Sequence, residues 1–238
     1  MPVTIDPAER IAFLSKSLRD ARDPSLDGRN ASAWLPALRR WQAGRLEASF
    51  KDLSRDPRYA RATRFFLDDL YGEGDVSWRD RDVVRILPTM RRWLPAKMLE
   101  IVARALELDQ LTHRLDLAMV ESLATEFGDK ARVDVGRYAH AYRSSGTRAD
   151  RKTQLRLLLA VGSDLDRLAR NPVLGTLLKL ARAPARAAGL ARMQQFLETG
   201  FAACKAMGPD GHEFLAIIGE REERALHRLL AGHADPFG

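Results

Sequence analysis

The longest uninterrupted helical pattern in the chain lies between Pro95 and Gly128, and it constrains the fold more than any other feature. No proline or glycine interrupts residues 96–127, and apolar residues recur there at spacings of three and four. At 1.5 Å per residue such a helix is on the order of 45 Å long, which suits the central pillar of a helical bundle. Its broad apolar face comprises Met98, Leu99, Val102, Ala105, Leu106, Leu108, Leu111, Leu115, Ala118, Met119, Leu123 and Phe127.

The rest of the chain repeats the helical pattern and lacks the alternation typical of β-strands. Alanine, leucine and arginine dominate, and runs of alternating Val, Ile, Thr and Tyr are nearly absent. We therefore expect an all-α fold, a multi-helix bundle of about nine or ten helices. Pro88 is expected to kink or break the helix that contains it. The other predicted helices span roughly 7–23, 32–54, 57–71, 77–94, 134–143, 149–170, 173–182, 184–207 and 212–230.

The length and apolar content are sufficient for one sizeable core. The chain has 238 residues, of which 45% are hydrophobic. We expect a single all-helical domain over residues 1–238. The turn Ser144–Thr147 is the best candidate boundary within it, and would divide the chain into sub-bundles 1–143 and 148–238.

Cysteine usage and hydropathy predict a cytoplasmic protein. Cys204 is the only cysteine, so no disulfide can form within the chain, as suits a reducing compartment. The N-terminal segment has no signal-peptide pattern, and no run of about 18 uncharged apolar residues occurs that would span a membrane.

Positive charge is concentrated in the second half of the chain. The net charge is +7 with a pI near 9.9, and residues 130–205 hold fifteen Lys and Arg against five Asp and Glu. No acidic residue occurs from Arg167 to Leu197. We expect residues 148–192 either to meet an anionic partner, such as a membrane surface or nucleic acid, or to cover the chain's own acidic half.

Within this basic region, residues 171–192 combine cations with apolar residues at helical spacing. Cationic amphipathic helices lie on anionic membranes. Pro184 interrupts the segment, however, and its apolar residues would suit a protein core equally well. The residues concerned are Val173, Leu174, Leu177, Leu178 and Ala181 beside Lys179, Arg182 and Arg186.

A second candidate site surrounds the stretch Phe65–Pro88. Two helices joined by a short loop are expected to lie antiparallel, which brings the charged residues at the mouth of the hairpin together. Arginine presents a fork to carboxylates, so these residues could form a polar binding site; the alternative is a solvated Arg/Asp network that fixes helix pairing. The candidate binding residues are Phe65, Phe66, Asp68, Asp69, Tyr71, Arg79, Asp80 and Asp82.

Two helical faces carry residue types that ligate first-row metals. If the two faces met, they would offer four carboxylates and two imidazoles, although the Glu-x-x-His pattern of di-iron bundles is absent. The alternative is that both are charged, solvent-facing helix edges. The candidate ligands are Asp109, His113 and Asp116 on the long helix, and Glu220, Glu223 and His227 on the last helix. The sequence identifies no cofactor.

Common nucleotide-binding and catalytic motifs are absent from the sequence. There is no G-x-x-x-x-G-K-[ST], G-x-G-x-x-G or G-x-S-x-G, and one cysteine cannot supply zinc-finger spacing. The helix that follows the turn at 209–211 is acidic in its middle and would repel phosphate, which disfavours a DNA-binding helix-turn-helix.

Several segments together resemble an uncharacterised family of all-helical bacterial proteins. The resemblance implies an all-helical fold and a bacterial, cytosolic setting, and it carries no catalytic residue to this chain. The segments are FFLDDLYG (65–72), WRDRDV (78–83), ILPTMRRWLP (86–95), LDQLTHRLD (108–116), GLARMQQFLETGF (189–201) and FLAIIGERE (214–222).

These observations favour a non-enzymatic helical interaction or regulatory protein, with another protein as the expected partner. One alternative is a metal- or cofactor-binding bundle enzyme with oxidative or hydrolytic chemistry at the His113 and His227 faces. The other is a protein that binds an anionic surface through residues 148–192. The sequence predicts no substrate and no oligomeric state.

Overall fold

The computed structural model describes residues 6–70 and 77–238, and the side chains of all of these apart from 70, 77–80 and 93. Within that part of the chain no strand occurs, and the predicted all-α fold is confirmed. Short 3₁₀ turns lie at Gly28–Ala31 and Gly208–Asp210, and a π-helical segment at Phe65–Leu70. The α-helices of the described residues are α1 (Pro7–Arg22), α2 (Trp34–Ser49), α3 (Ala60–Arg64), α4 (Ser77–Trp93), α5 (Ala96–Phe127), α6 (Val135–Ser144), α7 (Arg148–Ala169), α8 (Pro172–Leu180), α9 (Arg182–Ala187), α10 (Ala191–Ala206) and α11 (Gly211–Leu230).

Helix α5 confirms the predicted long segment in both its limits. Pro95 precedes its first turn, and Gly128 ends it with φ 67°, a left-handed conformation that glycine adopts without steric cost. The helix buries apolar residues along almost its whole length, from Leu99 to Leu123. It therefore serves as the scaffold of the residues that pack around it.

Two helix breaks differ from the prediction. Helix α4 continues through Pro88, so of the kink or break expected there the break is wrong; Leu87 and Met90 on either side pack against the apolar cluster of α1 and α5, and this burial outweighs one missing hydrogen bond. The helix predicted over 184–207 is instead divided into α9 and α10. Gly189 adopts φ 69° between them, and the amide of Leu190 donates to the carbonyl of Ala185, as at many helix C-termini.

The helix predicted over 57–71 also differs from the structure. A single turn of α-helix, α3, leads into the π-helical segment Phe65–Leu70. The wider turn lets two consecutive aromatic rings pack: Phe65 lies 5.4 Å from Phe196, and Phe66 meets Phe50 edge-on at 6.3 Å between centroids.

The chain forms two compact units. The first unit comprises the described residues of 1–41, 75–161 and 223–238, and the second unit those of 42–74 and 162–222. Each unit draws on chain from both sides of the turn Ser144–Thr147.

The first unit has two apolar clusters, both built on α5. One joins α5 to α1, with Ile11 and Leu18 fully buried. The other joins the C-terminal half of α5 to α2 and α6, where Trp34 donates its indole N–H to the carbonyl of Gly128 at 2.8 Å. Trp41 and Tyr138 stack in the same cluster with their centroids 4.1 Å apart.

The second unit is organised around α10, against which α3, the π-helical segment, α8 and α9 pack. Close packing depends on a small residue at Gly200, because a Cβ atom there would lie only 2.7 Å from the ring of Phe65. No such neighbour surrounds Gly44 on α2, where a Cβ atom would meet no described atom within 4 Å.

We expect Gly200→Val to destabilise the protein and the same change at Gly44 to be nearly neutral. Overpacking at residue 200 forces the ring of Phe65 to move, which typically costs about 1–3 kcal/mol. Valine at residue 44 replaces an exposed helical glycine, so the change stays within about 0.5 kcal/mol. Urea unfolding of both variants measures the difference, and equal stabilities would contradict the packing described for α10.

Candidate functional site

A groove of about 450 Å³ lies between α8 and α10 in the second unit. Glycine and aromatic residues form part of its lining, through Gly175 on α8 and Phe201 on α10. Other lining residues carry hydroxyl or charged groups. The polar lining residues are Thr176, Lys179, Arg182, Glu198, Thr199 and Lys205.

Local sequence signals set the position of α8 against α10. Asn171 caps α8, because its side-chain oxygen accepts a hydrogen bond from the amide of Val173 at 3.0 Å, and Pro172 occupies the first turn. A Cβ atom at Gly175 would lie 3.1 Å from the ring of Phe201, so the glycine permits the close approach. Gln194 on α10 donates to the carbonyl of Leu178 at 2.6 Å, which ties the two helices together.

The only acid that lines the described groove is already engaged. Arg182 donates to both oxygens of Glu198, at 2.6 and 2.7 Å, and Gln194 donates to one of them at 2.8 Å. These hydrogen bonds, that of Arg182 above all, lower the pKa of Glu198 to about 2. Glu198 therefore stays ionised and offsets the charge of Arg182 rather than that of the lysines.

Two lysines of the groove are left to face solvent. Both Lys179 and Lys205 are exposed, and neither forms an ion pair within the described residues. The ammonium group of Lys205 lies 5.9 Å from the centre of the Phe201 ring, at the outer limit of a cation–π contact. The groove consequently carries excess positive charge.

Helix α8 also exposes an apolar stripe to solvent. We define this stripe as Val173, Leu177 and Leu180. These side chains are 58%, 49% and 69% exposed. No residue of α8 or α9 is buried. Of the apolar residues for which the sequence left a membrane face and a core open, Val173 and Leu177 lie on the surface, whereas Leu174, Leu178 and Ala181 are partly buried.

The predicted hairpin site is only partly within the described residues. Phe65 is buried, while Asp68 and Asp69 are exposed on the π-helical segment. Asp82 lies 3.6 Å from Arg85 within α4. Tyr71 and the side chains of Arg79 and Asp80 lie outside the described residues, and Phe66 is half-buried, so a binding site here stays a prediction.

The three predicted ligands on α5 are each engaged by protein groups. Arg22 donates to Asp109 at 2.6 Å, and Asp116 lies 3.7 Å from Arg39. His113 is 3% exposed; its Nδ1 accepts from Arg39 at 3.0 Å, which leaves Nε2 to donate to the carbonyl of Ala21 at 3.1 Å. Burial in particular lowers the pKa of His113, so the ring is a neutral structural histidine whose two nitrogens are both occupied.

The predicted ligands on α11 lie on an exposed helix face. Glu220, Glu223 and His227 are all exposed, and Oε1 of Glu223 lies 4.0 Å from Nε2 of His227 one turn later. In residues 6–70 and 77–238, no group of three or more His, Cys, Asp or Glu side chains is placed to hold a metal ion. The structure therefore adds no support to a metal centre at either face.

The sequence identified the cations that α8 and α9 supply to the groove and missed its hydroxyl groups and its α10 side. Lys179 and Arg182 were identified from the acid-free stretch, whereas Thr176, Thr199 and Lys205 were not. Thr199 and Lys205 follow the end of α8 by 19 and 25 residues, and no local pattern links them to that helix. Only the tertiary packing of α10 on α8 brings them into one groove.

Comparison with known proteins identifies a family but no activity. A family model described as a domain of unknown function (DUF8198) matches residues 21–236. No curated protein and no solved structure matches the chain.

We expect the stability of the protein to fall as the pH drops from about 7.5 to 5.5, and part of this fall to disappear in His113→Gln. Because the folded-state pKa of His113 is below its ordinary value of 6.5, the unfolded chain binds a proton more readily. The contribution of His113 is therefore present above pH 6.5 and is lost as the pH falls, with a limiting slope of about 1.4 kcal/mol per pH unit. Urea unfolding at several pH values measures both slopes; identical slopes would refute a neutral, buried His113.

Proposed function

We propose that this chain, which belongs to the DUF8198 family of domains of unknown function, is a non-enzymatic interaction protein that docks an anionic partner at α8 and the adjoining groove. One observation carries the proposal: α8 exposes an apolar stripe on one side and borders, on its groove side, two lysines that form no ion pair within residues 6–70 and 77–238. The partner would bury the stripe and neutralise the lysines.

The apolar stripe has the pattern of a docking surface. Single exposed apolar residues are common on proteins and need no explanation. Here three aliphatic side chains follow one another at i, i+4 and i+7 on one helix, so they form a continuous patch. Leaving this patch in water costs free energy that a partner would recover.

The charge around α8 favours an anionic partner. No acidic residue occurs from Arg167 to Leu197, so α8 and α9 carry only positive charges. Glu198 is the nearest acid that lines the groove, and Arg182 already holds it. An approaching anion would therefore meet Lys179 and Lys205, while the carboxylate of Glu198 stays paired with Arg182.

The groups that would have to perform covalent chemistry are poorly suited to it. Burial, with a smaller contribution from Asp166, raises the pKa of Cys204 to about 11. The thiol thus stays protonated at neutral pH, whereas the thiolate is the nucleophile. His113, the most buried histidine of the candidate ligands, has both nitrogens in hydrogen bonds. These features support binding in preference to catalysis.

The bacterial, cytoplasmic setting is also part of the proposal. It is supported by the single cysteine, which suits a reducing compartment, and by the sequence resemblance to bacterial proteins.

Lysine substitutions in the groove test the proposal with heparin as the polyanion probe. We expect the double variant Lys179→Gln, Lys205→Gln to bind heparin about tenfold more weakly at moderate salt. The slope of log affinity against log salt should become shallower by about two, one for each lost cation contact. Anisotropy of labelled heparin at several salt concentrations measures both quantities.

A matched double variant separates a docking face from net charge. Lys97→Gln, Lys130→Gln removes the same charge from exposed positions on α5 and on the turn that follows it. This variant should bind heparin nearly as well as the unaltered protein. Equal weakening of both double variants would show that only net charge matters and would refute a docking face at α8.

A further inference from the structure

We propose that the anionic partner that binds at α8 is a lipid bilayer. Helix α8 would lie in the plane of the interface with its apolar stripe among the upper acyl chains, and a phosphate headgroup would occupy the α8–α10 groove. This inference rests on the proposed function and names the class of its partner.

The position of the stripe suits insertion into a bilayer. At 100° per residue, the three stripe residues lie about 140–160° around α8 from Gly175, whose face packs on Phe201. The stripe therefore lies on the side of α8 away from Phe201, and none of its residues lines the groove. None of the described helices combines the length and the apolarity needed to cross a membrane, so the contact expected is with the surface of the bilayer.

The size of the stripe favours a bilayer over a protein partner. Three side chains that are half to two-thirds exposed offer roughly 300 Å² of apolar surface, as large as the main patch on many monomers. A stable protein interface buries roughly 800 Å² on each partner. A bilayer needs no complementary surface, because acyl chains rearrange around a small apolar wedge.

The cations lie away from the stripe, as on interfacial helices, whose charged face is opposite the apolar one. Lys179 is about 160° around α8 from Leu177, on the groove side, and Arg186 adds a further cation on α9. Both are exposed. Stable attachment of a peripheral protein generally requires two signals, and here an apolar insertion and a basic surface occur on the same helices.

The groove is suited to one phosphate headgroup. It offers the ammonium groups of Lys179 and Lys205 and the hydroxyls of Thr176 and Thr199, all of which can donate to phosphate oxygens. Nucleic acid would use the lysines but has no use for an aliphatic stripe. The combination of groove and stripe matches a molecule with a phosphate at one end and hydrocarbon at the other.

Vesicle flotation with the full chain tests the inference. Vesicles of phosphatidylcholine with about 30% phosphatidylglycerol should bind the protein at least about tenfold better than phosphatidylcholine alone at low salt. The variant Leu177→Ser, Leu180→Ser should lose about tenfold of this binding and keep its affinity for heparin. Val173→Thr, a smaller change at the same stripe, should lose less.

A matched apolar control shows whether the position matters. Phe13→Ser, Leu26→Ser removes two side chains that are 71% and 68% exposed, comparable in exposure to the stripe, from the first unit. This variant should bind vesicles as the unaltered protein does. Equal losses in the control and the stripe variants would overturn the inference.

The remaining outcomes separate this inference from the proposed function. Groove-dependent heparin binding without vesicle binding would overturn the bilayer and leave the docking face standing. Vesicle binding that is unchanged in the stripe variants would likewise overturn the inference that the stripe inserts into the bilayer. Binding of free glycerol phosphate by both the stripe variant and the unaltered protein, without vesicle binding, would identify a soluble phosphate ligand instead. If the unaltered protein bound neither heparin nor anionic vesicles, both proposals would be refuted.

Discussion

The contact between Phe201 and Gly175 decides which face of α8 packs against α10, and the character of the candidate site depends on it. The missing side chain at residue 175 lets the ring of Phe201 approach the α8 backbone closely. A helix can bury one stripe of its surface against one neighbour. Since α8 is apolar on more than one side, burying the face of Gly175 leaves Val173, Leu177 and Leu180 in solvent.

The electrostatics of the groove follow from a second pairing on the same helices. Arg182 holds Glu198 through two hydrogen bonds, so the groove's one described acid is unable to neutralise Lys179 or Lys205. An Arg-to-Glu pair at the rim contributes little to stability where it is exposed. Its larger effect is on charge distribution, because it leaves lysine as the group that an incoming anion meets.

The sequence predicted the helices whose ends carry local signals. Helix α5 lies between a proline and a glycine, and both of its predicted limits are confirmed. The limits of α9 and α10 were missed, because most of residues 184–207 are good helix formers and the sequence does not distinguish Gly189, which is left-handed and ends α9, from Gly200, which is helical within α10. At Pro88 the sequence left a kink or a break open, and the helix continues because packing of the residues around the proline outweighs its local cost.

The candidate site was predictable in part. A stretch without acids pointed to residues 171–192, and it contains the apolar stripe and Lys179. Periodicity could not say which of its apolar residues are buried, because Leu174 and Leu178 are of the same residue type as Leu177 and Leu180, and both pairs are at helical spacings, four and three residues apart. That distinction arises only when α10 packs on the face of Gly175, and the same packing adds Lys205 to the groove.

A fluorescence scan along α8 tests most directly whether its outer face enters a bilayer. Single cysteines at residues 173, 177 and 180 of α8, and at the exposed positions 13 and 26 of the first unit, in a Cys204→Ala background, would carry an environment-sensitive dye. On addition of anionic vesicles, the emission should shift to the blue at 173, 177 and 180 and stay nearly constant at 13 and 26, since only the stripe enters the bilayer. Unchanged emission at all five positions, or an equal shift at all of them, would contradict the account.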